Sequence, residues 1–114
     1  MNNEKQLRKI VLYGNYFDDF FNGLDKKSRD KVLWVLKLIE DLPVIPKIYF
    51  KHLKTSQGIY EVRISYAGNI FRVFCFFNKD KEIVLLNAFR KTTNKTPLLE
   101  LEKAIKLRKE YEKQ

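Results

Sequence analysis

A strict two-residue alternation begins after Gly58 and runs, with one break, to Asn78, and it constrains the fold of this chain more than any other feature. In the run from Ile59 to Tyr66, residues Tyr60, Val62, Ile64 and Tyr66 share one side, and Glu61, Arg63 and Ser65 share the other. Extended chains place successive side chains on opposite faces, so this run reads as a half-buried strand. Ala67-Gly68-Asn69 supplies a turn. Ile70–Asn78 then returns with Phe71, Val73, Cys75 and Phe77 on one side and Arg72, Phe74 and Phe76 on the other. A two-residue turn at Ala67-Gly68 or Gly68-Asn69 joins the two as a hairpin. Asn78–Lys81 turns again and Glu82–Phe89 forms a further strand, which completes an antiparallel meander.

The residues around the meander read as a short strand and helices. Lys9–Tyr13 is a first strand, closed by Gly14-Asn15. Tyr16–Leu24 carries Phe17, Phe20, Phe21 and Leu24 at helical spacing. Asp25 follows as an N-cap, with oxygens for the free amides of a helix from Lys26 to about Asp41. Val32, Val35, Leu36 and Ile39 fall on one face of that helix, and Pro43 and Pro46 end it. Thr96 and Pro97 read as N-cap and first-turn proline of a terminal helix with Leu98, Leu101 and Ile105 as its apolar stripe. The predicted order is β–α–α–β–β–β–α, an α+β fold in which helices cover one face of an antiparallel sheet and leave the polar set on the other. At 114 residues the chain holds one core, so residues 1–114 are expected to form one domain.

Charge limits the partners. Lys+Arg 23 against Asp+Glu 14 gives a net charge of +9, which surrounds so small a body with positive potential. Polyanions follow as partners: RNA, DNA, an acidic protein or an anionic membrane. The N-terminal residues lack the apolar stretch of a signal peptide, and no apolar run approaches the roughly 18 residues that span a bilayer. A cytoplasmic protein with no membrane partner is expected. With Cys75 as the only cysteine no internal disulfide forms, and its place in the apolar run Phe71–Phe77 makes it a buried, inert thiol.

Strand parity then gathers the basic residues. Either hairpin turn puts Arg63 and Arg72 on the same face, opposite or diagonal to each other. A two-residue turn near Lys79-Asp80 adds Asn87, Phe89 and, if pairing extends so far, Lys91. Two adjacent arginines repel unless an anion lies between them. A phosphate fits the guanidinium forks, and the other arrangements are solvation or pairing with Glu61. Lys51, His52 and Lys54 lie just before the meander. Arg90, Lys91 and Lys95 follow it, in a stretch from Phe89 to Pro97 without an acid. Lys51, Lys54 and Arg90 are therefore candidate RNA contacts, with Phe89 and Tyr49 as stacking platforms for unpaired bases.

The residues that are missing narrow the chemistry. A single histidine, His52, supplies neither a pair of metal imidazoles nor a two-histidine acid–base couple. Glu61 alone among the 14 carboxylates sits mid-strand on the polar face, so the converging carboxylates of a two-metal nuclease are absent. There is no Gly-rich phosphate loop, and no metal or other cofactor is expected. What remains is metal-free phosphodiester cleavage driven by positive charge, with Glu61, His52 or a lysine as base. Such chemistry favours RNA, whose 2′-hydroxyl already lies beside its phosphate.

Three stretches together resemble one family. They are Lys51-His52-Leu53 leading to Gly58-Ile59-Tyr60-Glu61-Val62-Arg63, then Phe71-Arg72-Val73-Phe74, then the run from Phe89 to Pro97 containing Lys91 and Lys95. In order and spacing the chain resembles the RelE/ParE superfamily of type II toxins, and most closely its phage-derived HigB-like branch, over about residues 7 to 112. The resemblance implies a RelE-like fold and a toxin that cleaves messenger RNA without metal, often on the ribosome. It also implies an antitoxin partner, commonly of helix-turn-helix type. By position Arg63, Arg72, Lys91 and Lys95 match residues linked to phosphate contact and catalysis. Many relatives carry a second lysine where this chain has Thr92, so that position does not transfer. The alternatives are a ParE-type toxin that binds DNA gyrase and a non-catalytic RNA-binding relative.

Overall fold

A computed structural model describes residues 6–54 and 57–114. Along the chain lie β1 (Ile10–Leu12), α1 (Tyr16–Asn22), α2 (Lys26–Asp41), β2 (Phe50–His52), β3 (Tyr60–Tyr66), β4 (Asn69–Phe77), β5 (Ile83–Arg90) and α3 (Leu98–Glu112). The five strands form one sheet in the order β1-β5-β4-β3-β2. All neighbours are antiparallel except β1, which runs parallel to β5 with Ile10 beside Ile83. The α+β class expected from the sequence holds. β2 is an addition: its residues read as connection, because three residues are too few to display an alternation.

The β3–β4 hairpin follows the alternating run. Tyr66 pairs with Asn69, which leaves Ala67-Gly68 as a two-residue turn. Both turn residues have positive φ, 51° and 80°, the geometry whose twist matches that of the flanking strands. Gly68 takes this conformation without the Cβ clash that Ala67 must absorb.

The next connection is longer than expected. Phe77 pairs with Ile83, and the five residues between them close on Asn78, whose Oδ1 accepts from the Asp80 and Glu82 amides at 3.0 and 2.9 Å. A five-residue loop inverts the parity that a two-residue turn at Lys79-Asp80 would have set. An irregularity between Val73 and Cys75 inverts it again, so that Val73 pairs with Ala88 and Arg72 with Phe89. Phe89 therefore lies on the face of Arg72, as expected, although the route to that result differs.

Two apolar layers enclose the sheet. On one face Val32, Val35, Leu36 and Ile39 of α2 and Phe17 of α1 pack on Val62, Ile64, Phe71, Val73, Cys75, Ile83 and Leu85. On the other, Ala104 and Leu107 of α3 pack on Ile59, Phe74, Phe76, Val84 and Leu86. The expectation that all helices share one face is thus corrected. Phe74 and Phe76 alternate onto the side of Arg72, and an apolar pair of that size needs its own cover.

Local caps fix the helices. The Asp25 side chain accepts from the Ser28 amide at 3.0 Å, as expected of an N-cap. At the other end of α2, Arg8 donates to the carbonyls of Ile39, Leu42 and Pro43 at 2.9, 2.6 and 3.0 Å. This guanidinium satisfies carbonyls that the helix leaves open, and it places positive charge at the negative end of the dipole. For α3 the N-cap is Pro97 rather than Thr96. Its stripe is also shifted: Ala104 and Leu107 are buried while Leu98 is 71% exposed.

Candidate functional site

α3 covers only part of its sheet face. Beyond Phe74, toward the β3–β4 turn, that face carries Glu61, Arg63 and Arg72. Arg63 and Arg72 are direct cross-strand partners, so their Cβ atoms lie about 5 Å apart. Glu61, two residues earlier on the same side of β3, resolves the repulsion. One carboxylate oxygen lies 3.5 Å from Arg63 Nε and the other 3.3 Å from Arg72 Nε. Of the alternatives left open by the sequence, pairing with Glu61 is the arrangement found.

The three residues differ in exposure. The Glu61 and Arg72 side chains are only 8% and 7% exposed, against 31% for Arg63. Arg72 Nη1 donates to the Phe71 carbonyl at 3.2 Å, but its Nε finds no acceptor in hydrogen-bond geometry among the described residues. Burial lowers the pKa of Arg72, the Glu61 charge opposes that shift, and Arg63 adds to it. A guanidinium stays protonated throughout, so Arg72 keeps a buried positive charge next to that of Arg63.

Lys91 joins the cluster from the end of β5. Its amide donates to the Ile70 carbonyl at 2.7 Å, which extends the β4–β5 pairing by one residue. Burial pushes its amine below the usual lysine range; Arg72, Arg63 and Lys51 push the same way, and Glu61 opposes them. Lys51 enters from the sheet edge, where β2 sets it opposite Glu61. Arg63, Arg72, Lys91 and Lys51 thus face one carboxylate, and an anion with several oxygens fits the excess of positive charge.

The remaining expected residues are dispersed. His52 is the cross-strand partner of Tyr60 and packs on its ring at 4.9 Å, whereas Glu61 points to the opposite face. The pleat thus separates His52 from the arginines. Arg90 pairs with Phe71 and lines a cleft with Phe20, Leu24 and Asp25 on the α1–α2 side, so it too leaves the site. Tyr49 packs under Trp34 at 5.7 Å in the same layer. Phe89 stays beside Arg72 and rests edge-on against Phe74 at 5.1 Å. Lys54 and Lys95 are exposed. Cys75 is fully buried, and desolvation pushes its thiol far above the ordinary range, in keeping with an inert residue.

One supporting residue was not assigned a role from the sequence. Asn87, 2% exposed, donates from Nδ2 to the carbonyl oxygen and to the Oε1 of Glu100 at 3.0 and 2.9 Å. It ties the first turn of α3 to β5 and so anchors the far end of the segment that carries Lys91 and Lys95. The signal was an amide inside the otherwise apolar run Ile83–Phe89, where an unpaired polar group is costly.

Among the described residues no group of three or more His, Cys, Asp or Glu is placed to hold a metal ion, and no helix is long and apolar enough to cross a membrane. A search of curated proteins finds no significant match. Residues 19–109, a stretch that holds α2 and every residue of the arginine cluster, match the model of the phage-derived Gp49-like protein family (DUF891), and the chain belongs to that family.

Proposed function

We propose that this chain is the toxin of a type II toxin–antitoxin pair and an endoribonuclease of the RelE/HigB kind, acting on messenger RNA at the ribosome. The carrying observation is the arginine pair: two guanidiniums held side by side on one buried carboxylate, with a pKa-depressed lysine in the same field. Membership of the Gp49-like family is consistent with this reading.

In the proposed reaction the 2′-oxygen attacks the adjacent phosphorus and the 5′-oxygen of the next nucleotide leaves. One proton departs from the attacking hydroxyl and one arrives on the leaving oxygen. Arg63 and Arg72 hold the non-bridging oxygens, on which charge grows as the pentacoordinate state forms. Glu61 positions the two forks. Lys91, whose pKa is lowered by burial and by Arg72, is the proposed proton-exchanging group of the cluster. Lys95 and Lys54 hold flanking phosphates. A cognate antitoxin neutralises the toxin by covering this basic surface.

The test is induction in growing cells followed by mapping of messenger RNA ends. Growth arrest with new 5′-hydroxyl ends and cyclic or 3′-phosphate partners is the expected result. Arrest without RNA cleavage, retained by an Arg63→Ala, Arg72→Ala double variant, would move the protein to the gyrase-binding reading.

A further inference from the structure

Leu98 begins α3, yet 71% of it is exposed. It does not face bulk solvent alone. With Leu53 and Leu101 it forms the apolar wall of a cleft of about 380 Å³ between α3 and the β2 edge, whose rim carries Lys51, His52 and Lys54. That volume lies toward the lower end of the roughly 300–1,000 Å³ typical of small-ligand sites. Thr96, the residue after Lys95, closes the cleft on the α3 side.

Lys51 belongs both to this cleft and to the arginine cluster. It lines the cleft, it stands opposite Glu61 in the sheet, and its charge is felt at Lys91. An anionic chain that places one phosphate on Arg63 and Arg72 therefore meets the cleft next on its way across β2.

We propose that this cleft is a base-binding subsite, which receives the unpaired nucleobase beside the phosphate held by the arginine pair and sets the sequence preference of cleavage. The apolar wall takes the face of the base, since a flat π-system sheds water against leucine as it does against aromatic rings. The rim lysines hold the phosphates on either side of that nucleotide. A small apolar wall hemmed by cations and continuous with an anion site suits a base on a charged backbone better than it suits an amphipathic protein helix, which needs a longer apolar stripe. The inference rests on the ribonuclease reading and adds to it where selectivity lies.

The experiment uses the full chain with methyl-labelled leucines and a trinucleotide made resistant by a 2′-deoxy sugar at the scissile position. The trinucleotide should shift the Leu53, Leu98 and Leu101 methyl signals, while an abasic analogue and inorganic phosphate should shift only signals around Arg63 and Arg72. In cleavage assays, Leu98→Ala should compress the rate ratio between best and worst bases by about fivefold or more, in line with the loss of one apolar contact. Leu99→Ala is the control, at a residue 81% exposed and outside the cleft, and it should leave the ratio unchanged. Methyl shifts that ignore the base, or an equal loss on all sequences for Leu98→Ala, would overturn the subsite. So would shifts produced only by an acidic helical peptide. Cleavage without base-dependent shifts removes the subsite alone, whereas base-dependent shifts without cleavage sustain the subsite and remove the ribonuclease reading.

Discussion

The sheet face under α3 has two ends made from the same strands. At one end Phe74, Phe76, Val84 and Leu86 lie beneath Ala104 and Leu107. At the other, Glu61, Arg63 and Arg72 lie beyond the helix with Phe89 between the two ends. The first end is held by apolar area. The second keeps two charges, those of Glu61 and Arg72, nearly as buried as the phenylalanines, with Arg63 more exposed beside them. Burial alone therefore does not separate core from site in this molecule. The difference lies in whether the buried groups satisfy one another or still favour a further anion.

The strongest way to break the comparison is at the boundary. Phe74→Ala should cost about 3–5 kcal/mol of stability, the usual loss for a large buried aromatic, measured by urea unfolding. Arg72→Ala tests the other end and should lower RNA cleavage on the order of a hundredfold or more, about 2.7–4 kcal/mol of transition-state energy. Substrate binding should fall much less than the single-turnover rate. If Arg72→Ala proves harmless to cleavage, the buried charges are structural and the two ends do not differ in kind.

A smaller effect sharpens the boundary itself. Asn87→Ala should cost about 1–3 kcal/mol, since it removes a buried amide and its two part-buried hydrogen bonds to Glu100, and hydrogen exchange should rise across the first turn of α3. Cleavage should weaken along with that ordering if the 91–97 segment depends on the anchor.

The smallest effect is a pH dependence. The folded pKa of Lys91 lies below its unfolded value. Between those two values the unfolded chain binds more protons, so stability should rise with pH through that window. Below the window both states are protonated and the full penalty remains. The difference in stability between wild type and Lys91→Met should therefore shrink as pH rises through the alkaline range, as followed by denaturant titration at several pH values. A difference that does not change with pH would mean that Lys91 lies outside the arginine field.

The hairpin was legible because its alternation is long: seven paired residues in β3 fix which side each neighbour takes, and Arg63 beside Arg72 follows. Phe89 also falls where parity placed it, though two unforeseen irregularities cancelled to produce that result. A bulge leaves no mark in composition, so register beyond it was not readable. The second helical layer was signalled by Phe74 and Phe76 on the arginine side, a contradiction of the polar-face reading that only a covering helix resolves. His52 and Arg90 were misplaced for one reason. Each neighbours a true cluster residue in sequence, and a one-residue step in a strand leads to the opposite face. Glu61 could be placed on the correct face from sequence, but its role as a shared partner required the cross-strand distances.

The parallel pairing of β1 with β5 has a consequence during synthesis. Ile10 emerges early and must wait for Ile83 before it has a partner. The β3–β4 hairpin that carries both arginines closes locally through Ala67-Gly68 and needs no such wait. A nascent chain can thus assemble its charged hairpin while the sheet edge beside β5 is still vacant and the strands destined for α3 are uncovered. Those open edges and apolar faces are what chaperones and misassembly both seek. Fluorescence or protease probing of chains arrested before and after residues 83–90 should detect a late, abrupt gain in resistance at β1.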